Sequence, residues 1–536
     1  MMIMKKGLLC LGLASTLFAT SCTRNFDDIN SNPTAVSGSQ YDPNYLLSRA
    51  QYSYANTGYS QLLFQSMWVQ LLSSTFNYYS NGDKYVASSG QIGYQDRIWN
   101  EDYQAASYAY EMDTLAQQKS LPNLSNIGKI MNVLIMQHIT DCYGDVPYSE
   151  ALKGKSGTFT PAYDSQESIY TSMLTELQTA ISALDVSGTK PTADLFYSGD
   201  IAKWKKFGYS LMLRTAMRLS KVNPTLAQTW AEKAVAGGVF TSTADDAVVI
   251  CDNSGGFSNA TTNALMVQDD YREVKWSKTF IDYMRKMNDP RLEYIAEIAP
   301  NGLAANNNTA LAGSTDSSIQ LGMPNGYDLN GGTTDITTRS DYPGATAAAT
   351  TDDSPAPLGK YSRPTNSLYR NYSGPEFVLT YAETELLLAE AAARGWSVGG
   401  TATSHYAAGV TASMQSLATF SSDASISTAT ATLFIAANPL DVTSATASIK
   451  QINEQLWVTE GTLMNFIEAW NNWRRSGYPV LTPVVYTGNF TGGTIPRRIP
   501  YQSTENSTNP SGYASGVSSL SNGDTYTSRI WWDVAQ

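Results

Sequence analysis

The chain has 536 residues and a formal net charge of −12, from 35 Lys and Arg against 47 Asp and Glu. This acidic balance, without any basic run, argues against a nucleic-acid-binding protein, because phosphate backbones are held by clustered cations. The charged fraction is only 15%, and 33 Tyr and 11 Trp accompany many uncharged polar residues. Such a composition favours neutral polar ligands, for example sugars or peptide backbone.

The N-terminus predicts export followed by lipidation. Two lysines precede an apolar run over residues 8–18, which is too short to span a bilayer, and small residues then lead to Cys22. We therefore expect a signal peptide over residues 1–21, a palmitate-type lipid anchor on Cys22 and a tether over 22–40. Two or three acyl chains would hold the protein firmly at a membrane surface. The alternative is an ordinary secreted protein whose signal happens to contain a cysteine.

Cys142 and Cys251 are the cysteines that follow residue 22. Two cysteines in a chain of this length make no disulfide framework, so stability must come from a buried core. They could pair in an oxidising envelope, but we expect two buried thiols.

Apolar residues at helical spacing predict a mostly α protein, with helices over 42–56, 61–74, 127–140 and 165–184. Two more segments predict helix–turn–helix units, one broken at Asn223-Pro224 and one ending its first helix at Gly395. This build favours degenerate tetratricopeptide-like helix pairs, although no strict period of roughly 34 residues is present. An irregular helical protein stays open as the alternative.

We expect a single domain over residues 41–536, with long loops near 76–100, 300–364, 419–447 and 486–522. The longest of these, 300–364, is dominated by Ala, Asn, Thr, Ser, Gly and Asp. Long loops in compact domains are usually functional or mobile. Helices that carry long polar loops are suited to presenting a surface.

The signals for catalysis are weak. The chain has only two histidines, His138 and His405, which argues against a histidine triad or a multi-histidine metal site. Residues 395–399 match the nucleophile-elbow pattern, but a helix precedes them where that motif needs a strand, so Gly395 is better explained as a helix-terminating glycine. Adjacent acids do not supply the two carboxyls that converge from separate elements in a glycosidase. We therefore expect no catalytic residues, no cofactor and no metal site.

Aromatic residues concentrate between Phe76 and Tyr110, interleaved with amides and charged residues. Sugar rings stack their C–H faces on aromatic planes, while amides and charged groups bond the hydroxyls. The alternative is that several of these rings, especially from Tyr103 on, pack against neighbouring helices. The residues of this segment that we predict to contact a ligand are Asn77, Tyr78, Tyr79, Asp83, Trp99 and Asn100.

Several motifs in one order resemble those of a known family. Residues 143–151 read YGDVPYSEA, 289–292 read DPRL, 474–479 read RRSGYP and 496–501 read PRRIPY. Further matches lie at 25–33, 379–395 and 468–470. Together they make the chain similar to SusD/RagB-type outer-membrane lipoproteins of Bacteroidetes, most closely to the second SusD-like subgroup.

The resemblance implies a mostly α fold, with four tetratricopeptide-like helix pairs on one side and a loop-rich second side. It also implies a lipid-anchored protein of the outer membrane that closes as a lid over a SusC-like TonB-dependent transporter. Asp27 and Asp28 resemble the acidic signal by which such lipoproteins reach the cell exterior. By position, the loop around Tyr78 resembles the place of a stacking aromatic in this family, and the loop that holds Tyr327 and Tyr342 could face it. Tyr327 therefore joins the predicted ligand contacts.

The function predicted from these observations is capture of an oligosaccharide for import, without a covalent step. Two alternatives stay open. One is a peptide-capturing lipoprotein of the same type, and the other is a surface glycoside hydrolase.

Overall fold

The structure, a computed structural model, describes residues 41–87, 91–307, 311–348 and 354–535. The chain from Asn44 onward forms one compact unit. The predicted signal peptide, lipid site Cys22, tether 22–40 and acidic pair Asp27-Asp28 lie outside the described residues. Among the described helices, none is long and apolar enough to cross a membrane.

The described chain is mostly α-helical, as predicted. We number the helices of nine residues or more in chain order. They are α1 Asn44–Ala55, α2 Gln91–Gln118, α3 Pro122–Tyr143, α4 Gln166–Ser182, α5 Ile201–Arg218, α6 Pro224–Gly237, α7 Lys278–Met287, α8 Tyr381–Ala393, α9 Ala402–Ser416, α10 Thr428–Ala437, α11 Ala445–Thr462, α12 Phe466–Ser476 and α13 Pro510–Ser518.

Short elements fill the connections. The short helices are Gly58–Leu63, Gln65–Trp68, Ser80–Lys84, Asn263–Met266, Gln268–Glu273, Leu292–Ile295, Leu303–Asn307, Asn366–Tyr369 and Glu505–Thr508. The strands are β1 Leu72–Ser74, β2 Ala247–Ile250, β3 Val274–Trp276, β4 Ala296–Glu297, β5 Arg363–Pro364 and β6 Pro375–Leu379. They form antiparallel pairs β1–β3, β2–β6 and β4–β5.

Capping side chains fix the ends of several predicted helices. Ser165 accepts a hydrogen bond from the backbone N–H of Ser168 at the start of α4. Asn223 caps α6 in the same way and separates it from α5, as the Asn-Pro break predicts. At the end of α8, the N–H of Gly395 bonds to Ala392 and that of Trp396 to Ala391, with Gly395 at φ +82°. This Schellman geometry confirms Gly395 as a helix terminator.

The prediction of one helix over 61–74 is wrong in part. Helix Gly58–Leu63 is followed by Gln65–Trp68, and the chain then turns into strand β1. Gln70 has φ +52°, a left-handed conformation in which an α-helix cannot continue. The side chain of Gln70 donates a hydrogen bond to the carbonyl of Thr482 at 2.6 Å.

Three of the four predicted long loops contain all or part of a helix of nine residues or more. Helix α2 begins at Gln91, inside the predicted loop 76–100, and α10 lies inside 419–447. Helix α13 lies inside 486–522. The segment 300–364 has little regular structure, but it builds a small core of its own from Met323, Ile336, Leu358 and Tyr361.

Helices that follow one another in sequence pack side by side. Helix α2 packs along α3, α5 along α6, α8 along α9 and α11 along α12. Cys142 in α3 and Cys251 after β2 are both buried free thiols, which confirms the sequence expectation.

Ion pairs in the interior join helices that are far apart in sequence. Arg214 of α5 is paired with Glu383 of α8, with Nε 2.7 Å from Oε1. Arg218, one turn later, pairs with Asp141 of α3 at 3.1 Å and with Glu468 of α12. All of these side chains are buried. Because an ion without its partner is costly in the interior, each pair fixes the position of two helices.

Glu390 of α8 makes the most complete of these pairs. Its two carboxylate oxygens each lie 2.7 Å from a guanidinium nitrogen of Arg475 in α12. Asn453 of α11 also donates to it, at 2.9 Å. Burial opposes ionisation of this carboxyl, yet Arg475 and Arg394 hold the pKa of Glu390 well below its usual value.

We predict that Glu390→Gln lowers the free energy of unfolding by about 3–5 kcal/mol, because it leaves the Arg475 charge buried without a partner. Denaturant unfolding at pH 7 measures this. The ionised carboxylate stabilises the fold fully above the unfolded-state pKa of 4.5, and this contribution is lost as the pH falls. The difference between the variant and the parent protein should therefore shrink at low pH.

The matched control is Glu167→Gln, at an exposed position in the first turn of α4. It should change the free energy of unfolding by no more than about 0.5 kcal/mol. An equal effect of both substitutions would contradict a structural role for the Glu390 pair.

Candidate functional site

The predicted aromatic segment divides into buried and accessible residues. Tyr79 and Asp83 are fully buried, and Trp99 is 7% exposed. Asn77, Tyr78 and Asn100 keep part of their surface in solvent. Only the second group offers a ligand direct contact in this conformation.

Trp99 belongs to an aromatic cluster inside the protein. Its ring centroid lies 4.9 Å from that of Tyr103, 5.1 Å from that of Tyr143 and 6.2 Å from that of Tyr501. The Tyr143 hydroxyl also accepts a hydrogen bond from the Trp99 backbone N–H at 3.1 Å. These contacts tie α2 to α3 and to the C-terminal segment.

The accessible aromatics form a tyrosine patch of Tyr59, Tyr78 and Tyr94, each partly buried. The ring of Tyr94 lies 5.2 Å from that of Tyr59 and 5.7 Å from that of Tyr78, measured between centroids. The Tyr78 hydroxyl donates to the Tyr94 hydroxyl. Burial and the hydrogen bond to Tyr94 raise the pKa of Tyr78 to about 12, so this hydroxyl stays protonated at neutral pH.

Polar groups border the patch. Asn77 is exposed at the start of the turn Asn77–Tyr79. The guanidinium of Arg97 lies 5.7 Å from the Tyr94 ring centroid and pairs with Glu101 at 2.7 Å. The patch therefore combines partly open rings with amide and charged groups.

Tyr327, the remaining predicted ligand contact, belongs to a different part of the chain from the tyrosine patch and packs on the small core of the 300–364 segment. Its hydroxyl accepts a hydrogen bond from Arg339 at 2.5 Å, and the Arg339 guanidinium lies 4.7 Å from the ring centroid. Arg339 in turn holds Asp341 through two contacts of 2.7 and 2.8 Å. Tyr342 packs on the same core and donates to the carbonyl of Pro357.

Tyr327 lines a groove with a volume of about 680 Å³. Its lining comes from three parts of the chain: residues 324–327, 333–334 and 339, residues 482–487, and Gln70 with the start of α7. We call the first two parts the walls of the groove. The volume lies within the range of roughly 300–1,000 Å³ that small-molecule sites occupy. We call this feature the tyrosine groove, because Tyr327 and Tyr486 stand on its two walls.

The charged side chains that line the tyrosine groove, Lys278, Asp282 and Arg339, are all paired. Lys278 pairs with Asp282 at 2.7 Å, and Arg339 pairs with Asp341. Five threonines also belong to the lining: Thr279, Thr333, Thr334, Thr482 and Thr487. A neutral ligand with many hydroxyls fits this arrangement better than an ion does, because no lining charge named here is left without an opposite charge.

A hydrogen bond joins the two walls. The Tyr486 hydroxyl donates to the carboxylate of Asp328 at 2.5 Å, and Thr334 donates to the same oxygen at 3.1 Å. Burial acts to raise the pKa of Asp328, but hydrogen bonds, the first from Tyr486, hold that pKa below its usual value. Asp328 is thus an ionised acceptor that keeps the walls together.

Sequence reasoning selected Tyr78 and Tyr327 as ligand contacts but selected neither Tyr59 nor Tyr486. Tyr59 precedes the aromatic segment, and Tyr486 lies 158 residues after its partner Asp328. No local pattern signals either contact.

Within the described residues, no group of three or more His, Cys, Asp and Glu side chains is arranged to hold a metal ion.

Comparison with known sequences identifies the family. The family model described as "Starch-binding associating with outer membrane" matches residues 33–502. No curated protein matches the chain.

Solved structures resemble the chain over nearly all of its length. A chitin-binding protein is 29% identical, with a TM-score of 0.77, 92% of this chain covered and 100% of that one. A SusD-like protein of Bacteroidetes AC2a is 24% identical, with a TM-score of 0.77 and coverages of 92% and 100%. A chitin-binding SusD homologue from Flavobacterium johnsoniae is 24% identical, with a TM-score of 0.70 and coverages of 91% and 98%. The chain therefore belongs to the second SusD-like family and has its mostly helical fold.

Proposed function

We propose that this protein captures a neutral oligosaccharide at the outer membrane and delivers it to a partner TonB-dependent transporter. Membership of a family described as starch-binding and associated with the outer membrane carries the proposal. The tyrosine groove supports it with a volume suited to a few sugar rings.

The chemistry of the groove agrees with a sugar ligand. Tyr486 and Tyr327, whose ring Arg339 covers on one side, can offer ring surface to the C–H groups of a sugar. The threonine hydroxyls can exchange hydrogen bonds with its hydroxyls. The paired charges suit an uncharged ligand. The tyrosine patch supplies a second stacking surface, with Asn77 beside it.

Two sugars are the first ligands to test. The relatives at 29% and 24% identity are named for chitin binding, whereas the family description names starch. Chito-oligosaccharides and malto-oligosaccharides therefore form the first panel. Failure of both, with binding of a peptide library instead, would favour the peptide-capturing alternative.

In this proposal the protein is a surface lipoprotein anchored through Cys22. It closes as a lid over its SusC-like transporter and traps the ligand between the two proteins. The mechanism is binding and closure without a covalent step, so the protein is not an enzyme. Hydrolysis of a bound glycan by the pure protein would instead support the glycoside hydrolase alternative.

We predict that Tyr78→Ala and Tyr327→Ala each weaken oligosaccharide binding by roughly tenfold, which corresponds to about 1.4 kcal/mol for a lost ring contact. Isothermal titration calorimetry with the sugar panel measures the change. Tyr45→Ala is the matched control, because Tyr45 is 62% exposed on α1 and lies outside both tyrosine sites. Equal affinities for all four proteins would remove both tyrosines from the proposed site.

The outcome for Trp99→Ala should differ. Because Trp99 packs within an internal aromatic cluster, its truncation is expected to lower the free energy of unfolding by about 3–5 kcal/mol. Thermal and denaturant unfolding measure this loss. A stable Trp99→Ala protein that no longer binds sugar would instead make Trp99 a ligand contact, as the sequence predicts.

We predict that lipidated, tagged protein purified from native outer membranes carries a TonB-dependent barrel in stoichiometric amount. Mass spectrometry of the purified complex identifies the partner. A Cys22→Ala variant, which cannot be lipidated, is the control for membrane attachment. Recovery of the lipoprotein alone, under conditions that preserve membrane complexes, would contradict the lid role.

A further inference from the structure

Asp83 accepts hydrogen bonds from two parts of the chain and also pairs with its buried neighbour Lys84, whose Nζ lies 3.4 Å from Oδ2. The side chain of Asp83 is fully buried, at the end of the short helix Ser80–Lys84 that follows the turn of Tyr78. Oδ1 accepts from the backbone N–H of Ser74 at 3.2 Å and from Asn325 Nδ2 at 2.8 Å. Oδ2 accepts from the backbone N–H of Gly326 at 2.8 Å. Asp83 thus connects β1 to the turn that leads directly into Tyr327.

The other wall of the tyrosine groove is fixed to the same region of the chain. Gln70 donates to the Thr482 carbonyl at 2.6 Å. The carbonyl of Tyr85 accepts from the backbone N–H of Phe490 at 2.9 Å. Residues 70–85 therefore act as a common base for both walls.

The two walls are in contact at Gly326, the residue whose backbone N–H is bound by Asp83. A Cβ on Gly326 would lie 2.5 Å from Cγ1 of Val484, and Gly326 has φ +87°. Only glycine allows this close approach without strain. A small displacement of the 325–326 turn would therefore change the width of the groove.

We infer that Asp83 is a positioning residue that sets the place of Tyr327 in the groove without touching the ligand. This inference rests on the proposed function for the identity of the ligand. It reassigns Asp83 from the direct contact expected at the sequence level to a supporting role. The physical reason is that Asp83 has no exposed surface and accepts hydrogen bonds from the Tyr327 wall itself.

An amide cannot replace this carboxylate. Both oxygens of Asp83 face N–H donors, so the NH₂ group introduced by Asp83→Asn would meet a donor on one side or the other. The 325–326 turn or Ser74 would then lose a hydrogen bond to this side chain. The 325–336 segment should then sample positions in which Tyr327 no longer faces the ligand.

The test compares Asp83→Asn with Asp194→Asn. Asp194 is the matched control because it is also a buried carboxylate that accepts from several donors, among them Gln51 Nε2 and Trp204 Nε1 at 2.8 Å each. Neither of those partners lines the groove. Three quantities are measured on both variants: the midpoint of thermal unfolding, the affinity for the best oligosaccharide of the panel, and hydrogen exchange of the amides in 325–336.

We expect Asp83→Asn to weaken binding at least about tenfold and to speed exchange in 325–336. Asp194→Asn, at a comparable loss of thermal stability, should change affinity less than about twofold and leave exchange in that segment unaltered. Equal effects of the two variants, or unaltered exchange and affinity in Asp83→Asn, would overturn the inference. Faster exchange with full affinity would overturn it as well, because positioning would then not matter for binding.

The exchange measurement separates this inference from the proposed function. If the parent protein binds no sugar, the proposed function fails. Faster exchange in Asp83→Asn would still show that Asp83 holds the wall of the groove that carries Tyr327. If Asp83→Asn does not fold, Asn325→Ala removes one of the two hydrogen bonds between Asp83 and the 325–326 turn, together with the bond from Asn325 to the Leu72 carbonyl. Its exchange in 326–336 should then rise, and unaltered exchange would overturn the inference.

Discussion

Buried arginine–carboxylate pairs hold the helical scaffold together. Arg214 and Arg218 of α5 reach α3, α8 and α12, and Arg475 links α12 back to α8. Such pairs are not a source of large net stability, since both ions lose their hydration. They are, however, highly selective, because any arrangement of the helices that separates a pair leaves a buried charge. The scaffold is therefore specified more sharply than apolar packing alone would specify it.

Several residues of these ion pairs belong to the sequence motifs by which the family was identified. Asp141 opens the segment that contains YGDVPY, Glu383 and Glu390 lie in the helix of 379–395, and the arginines of α12 begin RRSGYP. In DPRL, Arg291 is fully buried and bonds Asp289 and Ser413. The motifs thus encode the interior of the fold, and for that reason they identify the family without naming a ligand.

The sequence predicted the helical interior better than it predicted the ligand contacts. Apolar residues at helical spacing predicted α4 to within two residues at each end and α3 to within five. The helix predicted over 61–74 is interrupted at Phe64 and ends at Trp68. Gln70 then has a left-handed conformation, and its side chain bonds Thr482, 412 residues later in the chain, a contact that no local pattern signals. Within the candidate site, composition marked the aromatic segment but could not separate Tyr78 from Trp99. That separation depends on Tyr143 and Tyr501, which bury the Trp99 ring from distant positions.

The groove depends on the scaffold through residues 70–85. Because Gln70 and Asp83 fix both walls to one base, and Tyr486 bonds Asp328 across the groove, the walls are held in place before any ligand arrives. A preformed groove loses little conformational entropy on binding, which favours affinity for a flexible, weakly interacting ligand such as a sugar chain. In the proposed lid role, the motion would then belong to the whole protein on its membrane tether. The groove itself would stay unchanged as the lid opens and closes, so that capture and delivery would use one and the same binding geometry.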